Sequence, residues 1–339
     1  MTAETMSVPP PAAAAAVSPE PILRLASGFM AAKHLFAADE LGLFEALGEG
    51  PATLDAVAAR TGLTRRAARI SADAMVALGL VERDGDTYRN GEVAAQYLSG
   101  VSPADLRPLL RFWDRISYPA WQGLAQALAT GPGREVFDLD DELQELVSKG
   151  IEAVLAGPTA ALPQNVDLAG RRLLDVGGGT GSWSIALARR FPDLRATVLE
   201  LPVVAEVARQ RVADADLGSR IDVLTGDAMT GDLPASYDAF LVANLVHYWS
   251  PEQNVDLLRR IRAAAAPASV LLLVDFWTDP THTQPMQAAL MAGEFAVHLR
   301  NGDVYSVEEA RGWLGAAGWR FVEHRPLAGP VSLVVAEPA

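Results

Sequence analysis

From Arg172 onward, short apolar runs alternate with stretches of helical spacing. RRLLDV, RATVLE, IDVLTG, YDAFLVAN and SVLLLVDF are leucine-rich or β-branched runs, each followed by an amphipathic segment. Strands separated by helices predict a parallel, doubly wound sheet of the α/β class. Two late runs, WRFVEHRPL and PVSLVVAEP, follow each other across a short turn and predict an antiparallel hairpin that closes the sheet. Upstream the period changes. In PILRLASGFMAAKHLFAADELGLFEALGEG, Leu25, Phe29, Leu35, Phe36, Leu41 and Phe44 recur at helical spacing. TLDAVAARTGLTRRAARISADAMVALGLVERDGDTYRNG reads as a short helix, a turn at Gly62, a longer helix capped by Thr64 and a hairpin turning at Asp84-Gly85-Asp86. That order is a winged-helix pattern. Further helices are predicted over Asp105–Ala129 and Asp140–Leu162. The expected organisation is a leader over 1–20, a winged-helix domain over 21–100, a helical connector over 101–168 and an α/β domain over 169–339. There is no internal repeat.

Composition narrows this picture. A chain of 339 residues, half of them apolar, is long enough for two cores. It contains no uninterrupted apolar run of about 18 residues, so no membrane span is expected. The opening MTAETMSVPPPAAAAAVSPE has no basic n-region and is broken by prolines, so it reads as a disordered leader rather than a signal peptide. The absence of cysteine removes disulfides, thiolate metal sites and a thiol nucleophile, and a cytoplasmic setting is expected. A net charge of −14 argues against a nucleic-acid partner, which calls for a basic face.

The candidate chemistry starts at LLDVGGGTGSWSIALARRFP, a strand, a glycine turn and a helix. Glycines let backbone approach a ligand, and a helix N-terminus offers free N–H groups. The dinucleotide spacing G-x-G-x-x-G fails, because its third glycine position is Ser182. The spacing is D-x-G-x-G-x-G instead, through Asp175, Gly177, Gly179 and Gly181. Glu200 ends the next strand, where a carboxylate can take both hydroxyls of a ribose. Asp227 follows the third strand, where it can accept from an adenine amino group. Acids at successive strand ends, where open α/β sheets bind ligands, imply an adenosine without a pyrophosphate, namely S-adenosylmethionine.

Here the chain resembles the winged-helix small-molecule methyltransferases, the group that includes caffeate and acetylserotonin O-methyltransferases and bacterial polyketide-tailoring enzymes. The resemblance runs from Pro21 to the C-terminus and rests on SGFMAAKHLFAADELGLFEAL, YRNGEVAAQYL, LLDVGGGTG, ELP, GDAM, LVHYWSPE and GDVYSVEEARGWLGAAGW. It implies a class I, Rossmann-like methyltransferase domain, homodimerisation through the N-terminal domain and a small-molecule methyl acceptor. It also places Leu201 of ELP and Ala228 of GDAM beside the nucleoside. His247 matches the family's general base, and Asp275 matches an acid that hydrogen-bonds that histidine. The chemistry calls for such a base, since a phenol is mostly protonated at neutral pH and an imidazole can take its proton. Departures fall around the base: Tyr248 replaces the family's Asp, Val304 stands where plant enzymes carry a supporting glutamate, with Asp303 beside it, and Asn244 replaces a basic residue of several relatives.

Two other uses of these residues arise. His298, in GEFAVHLRNG, could join His247 and Asp275 to hold a metal for C-methylation of an α-keto acid. The winged helix, with Arg65, Arg66 and Arg69 on its second helix, could serve a DNA-binding regulator, although its surroundings are acidic. The pocket walls are expected from Phe112, Trp113, Tyr118, Trp277, Met291, Phe295 and His298, which would make the acceptor largely apolar. The sequence reading favours O-methylation with no metal.

Overall fold

The computed structural model describes residues 17–102, 104–133 and 139–339, so the expected leader lies up to residue 16 outside the described residues. The chain forms two compact units that meet in sequence at Val101 and Ser102.

The first unit holds helices α1 (Glu20–Glu40), α2 (Leu43–Gly48), α3 (Leu54–Thr61), α4 (Arg65–Ala77) and α5 (Glu92–Tyr97). Its strands β1 (Ala52–Thr53), β2 (Val81–Asp84) and β3 (Thr87–Asn90) pair in the order β1-β3-β2. Helix α3 stops at Gly62, in the left-handed region at φ 69°, and α4 starts where the Thr64 hydroxyl accepts the Ala67 N–H at 3.2 Å. Leu43, Phe44, Val57, Ala72, Met75 and Tyr88 are buried in its core. The winged-helix order is therefore present, but several of its arginines are answered by acids. Arg65 pairs with Asp55 at 2.7 Å, and Asp73 takes Arg69 at 3.2 Å and Arg83 at 3.1 Å. Helix α1 leaves Ile22, Leu25, Phe29 and Met30 at least half exposed.

The second unit begins with α6 (Arg107–Phe112), α7 (Tyr118–Trp121), α8 (Leu124–Thr130) and α9 (Asp141–Ala161). The single helix predicted over Asp105–Ala129 is interrupted by a π-helical turn, Trp113–Ser117, in which the Tyr118 N–H reaches back five residues to the Trp113 carbonyl. Pro119 gives the reason: it has no N–H for an α-helical bond and crowds the preceding turn, so a wider turn forms just before it. Gln122 and Gly123 then break the helix again.

Strands β4 (Arg172–Val176), β5 (Arg195–Glu200), β6 (Ile221–Thr225), β7 (Tyr237–Ala243), β8 (Ala265–Phe276), β9 (Trp319–Ala328) and β10 (Val331–Pro338) form one seven-stranded sheet, ordered β6-β5-β4-β7-β8-β10-β9. Its first five members run parallel, and the β9–β10 hairpin adds antiparallel to β8. The connecting helices are α10 (Ser182–Arg190), α11 (Pro202–Asp214), α12 (Pro251–Ala264), α13 (Met286–His298) and α14 (Val307–Ala316). The chain winds outward from β4 to β6 and then returns to place β7 on the other side of β4. The crevice between β4 and β7 is therefore the switch point where such sheets bind ligands. Side chains alternate between two cores: Leu272, Val274 and Phe276 enter one, and Leu271, Leu273 and Trp277 the other. Full burial of each such leucine contributes roughly 1.5–3 kcal/mol.

Candidate active site

The glycine turn is built by Asp175. This carboxylate is fully buried at the end of β4, and Ser184, in the first turn of α10, donates its hydroxyl to Oδ2 at 2.7 Å. Burial pushes the Asp175 carboxyl up to about 7, against the Ser184 bonds and with the Glu200 charge nearby. Gly177, Gly179 and Gly181 all have positive φ, at 64°, 57° and 81°. Gly178, which the spacing argument passed over, is as tight as Gly177: a Cβ there would stand 2.6 Å from Asp175 Cγ, as one on Gly177 would from Leu245 Cδ2. Asp175 thus shapes the loop from beneath, and the absence of side chains above leaves backbone facing the crevice.

Glu200 closes the far side. Its Oε2 accepts the Gly179 N–H at 2.9 Å and its Oε1 the Leu201 N–H at 2.7 Å, which fixes the carboxylate across the end of β5 with a lone pair left on each oxygen. Leu201 is half exposed. Asp227 accepts the Met229 N–H and the Thr230 hydroxyl, both at 2.8 Å, and these bonds hold its carboxyl below the usual range. Ala228 is buried, and its carbonyl accepts from Arg260 at 3.0 Å. Glu152 of α9 is a participant that no motif announced. The Thr180 and Ser182 hydroxyls donate to it, the latter at 2.8 Å, and Arg211 pairs with it at 3.0 Å. An acid within the apolar stretch IEAVLA is the signal that points to it.

On the other side of the crevice, Asn244 ends β7 at φ 51°, rare for a residue other than glycine, with its N–H bonded to the Val274 carbonyl at 2.7 Å. Its Oδ1 is buried and has no hydrogen-bond partner, as are Asp175 Oδ1 and Asp275 Oδ2. Of these, Asn244 Oδ1 and Asp275 Oδ2 at the ends of neighbouring strands are acceptors that suit a cationic ligand.

His247 lies in the short 3₁₀ turn after β7 and is 6% exposed. Its Nδ1 is 2.8 Å from Asp275 Oδ1, and the same oxygen accepts the Phe276 N–H at 2.8 Å. Phe295 of α13 lies parallel to the imidazole, with ring centres 4.1 Å apart and 6° between planes. Tyr248 flanks it at 4.5 Å, and burial lifts that phenol to about 12. The His247 carbonyl accepts the Asp303 N–H at 3.1 Å. The Asp303 carboxylate itself takes the Val304 N–H, and burial raises its pKa.

The O-methyltransferase domain family matches residues 128–320, and the O-methyltransferase dimerisation domain family matches residues 23–100. The chain belongs to the O-methyltransferase family. It is 34% identical to a 3-hydroxy-5-methyl-1-naphthoate 3-O-methyltransferase of Streptomyces sahachiroi, over 90% of this chain and 91% of that protein. It is 30% identical to a tetracenomycin polyketide synthesis 8-O-methyltransferase of Streptomyces glaucescens, over 94% and 96%. Among solved structures, human N-acetylserotonin methyltransferase in complex with S-adenosylmethionine superposes with a TM-score of 0.84 at 25% identity, over 96% of this chain and 99% of that one. This O-methyltransferase is thus an S-adenosylmethionine-dependent enzyme of the class I fold, with a small-molecule acceptor. Among the described residues, no helix is long and apolar enough to cross a membrane.

The expected pocket residues of this O-methyltransferase fall into several surroundings. Trp277 does not face His247. Strand alternation turns it into the opposite core, 6.4 Å from Trp313, and Phe276 takes the place beside the histidine, at 6.2 Å. Phe112 is buried against α9, where a Cβ on Gly150 would strike its ring. Trp113 is 36% exposed in the π turn, and Tyr118 is half-buried. Met291 packs into the same core as Phe295. The three-residue metal set is not assembled: among the described residues no three metal-ligating side chains come together. His298 sits instead 3.2 Å from Glu294, a buried acid the sequence reading missed. Burial raises the Glu294 carboxyl, but His298, Ser117 and Trp121 outweigh it and hold it below its usual range.

Proposed function

We propose that the protein methylates a hydroxyl of an aromatic or polyketide-type small molecule, with His247 as general base and Asp275 orienting it. The buried contact between His247 Nδ1 and Asp275 Oδ1 carries this reading. With Nδ1 committed to the carboxylate, the other ring nitrogen is free to take the hydroxyl proton. Phe295 and Tyr248 fix the ring plane and keep water off it. Glu200 suits the ribose hydroxyls and Asp227 the adenine edge, while the backbone of 177–181 lies along the remainder of the nucleoside. The orphaned Asn244 Oδ1 suits the α-ammonium of the methionine part. Bound there, S-adenosylmethionine supplies an electrophilic sulfonium methyl. The naphthoate and tetracenomycin relatives support a fused-ring aromatic acceptor.

The N-terminal domain is proposed to form a homodimer through the apolar face of α1, and to bind no nucleic acid because Arg65 and Arg69 of α4 are paired internally. Calorimetric titration with S-adenosylhomocysteine tests the donor site: the native protein binds it, and Glu200→Ala weakens binding by roughly 10-fold or more through loss of charge-assisted bonds. Equal affinity in the two proteins would remove Glu200 from the site.

A further inference from the structure

We propose that His298 binds the methyl acceptor, donating its Nε2–H to a carbonyl or carboxylate oxygen, so that the preferred substrates are hydroxyaryl compounds carrying such an oxygen. The inference rests on the methyltransferase reading above and adds the substrate class.

Helix α13 carries the argument. Phe295 stacks on His247, and His298 lies three residues further on, toward the same side of the helix. His298 is 9% exposed and Glu294, one turn before it, 8%. The Glu294 carboxylate is already engaged on both oxygens: Ser117 Oγ donates to Oε1 at 2.5 Å and Trp121 Nε1 to Oε2 at 2.5 Å. His298 Nε2 is 3.2 Å from that Oε1, near enough to help draw the Glu294 carboxyl down but too poorly aligned to fill the nitrogen's own hydrogen-bond direction. A ring nitrogen facing a carboxylate carries the hydrogen rather than the lone pair. His298 is therefore a buried donor whose directed bond is unfilled. Buried polar groups are nearly always bonded, so the unfilled direction marks where a ligand atom belongs.

That atom must be an acceptor, and a ketone, quinone or carboxylate oxygen fits best beside a nitrogen polarised by Glu294. The π turn contributes directly, since it is the turn that presents Ser117 to the carboxylate. Gly293 contributes by absence, since a Cβ there would stand 2.7 Å from Trp121 Cη2 and push α13 away. A substrate held at one end by His298 offers its hydroxyl to His247 at the other, so His298 would set which hydroxyl is methylated.

The test is calorimetric titration of the protein, saturated with S-adenosylhomocysteine, with 3-hydroxy-2-naphthoate and with 2-naphthol. Native protein is expected to bind the naphthoate roughly 10- to 100-fold more tightly, the range for one hydrogen bond to a charged group. His298→Phe, with His298→Leu as a second donorless variant, is expected to abolish the preference, and His298→Gln to keep part of it. No preference in the native protein, or an undiminished one in both donorless variants, overturns the proposal. Failure of the methyltransferase reading shows separately, as absent heat with S-adenosylhomocysteine alone.

Discussion

Asp175 shows how much one buried group can decide. In the unfolded chain its carboxyl titrates near its ordinary value of 3.8, and in the fold burial lifts it to about 7. The folded state therefore holds the proton more tightly, and the stability this confers is lost as pH rises from about 4 through 7. Without donor present, the thermal midpoint of native protein should fall between pH 5 and pH 8 relative to that of Asp175→Asn, whose amide cannot ionise. Parallel curves would mean that the carboxyl is solvated. The positions of Asp175, Glu200 and His247 were legible because each stands at or just past a strand end in a spaced motif. Glu294 and Glu152 were not, because their bonds are made at a distance. Ser117 and Glu294 are 177 positions apart, and Ser182 and Glu152 are 30 apart on different helices. The one trace each leaves in the sequence is an acid inside an apolar helix.

At the level of elements, the strands were readable and the helix before them was not. A strand buried on both faces shows as a short, dense apolar run, as β4, β7 and β8 do, whereas the edge strand β6 is mostly exposed. The π turn keeps Leu109, Phe112 and Ile116 at spacings that look α-helical, so the apolar pattern passes through it unbroken. Pro119 and Gly123 are its surface signs. The consequence is the close seating of α13 on Trp121. Gly293→Ala should destabilise the protein by about 1–3 kcal/mol through overpacking, read from urea unfolding. An unchanged midpoint would show that α13 stands clear of that ring. The misplacement of Trp277 has the same origin as the correct strands: alternation was certain, but which parity faced the histidine was not.

For the whole molecule, the layout of a helical winged-helix unit followed by an α/β unit was legible in the switch from helical to strand periodicity, and the acidic balance agrees with a winged helix in which Arg65, Arg69 and Arg83 are internally paired. The proposed association uses one face of α1. Ile22, Leu25 and Phe29 recur at helical spacing with exposures of 72%, 81% and 50%, an apolar stripe of the kind that marks an interface. Leu25→Asp with Phe29→Asp should shift the mass seen by light scattering from dimer to monomer, and an unchanged mass would place the interface elsewhere. The account as a whole turns on the imidazole at the end of β7. Its most direct test is single-turnover transfer from labelled S-adenosylmethionine to a hydroxyaryl acceptor that the native protein methylates, compared with His247→Ala. The rate should fall by roughly 10²–10⁴ with S-adenosylhomocysteine affinity unchanged, and transfer at the native rate would contradict it.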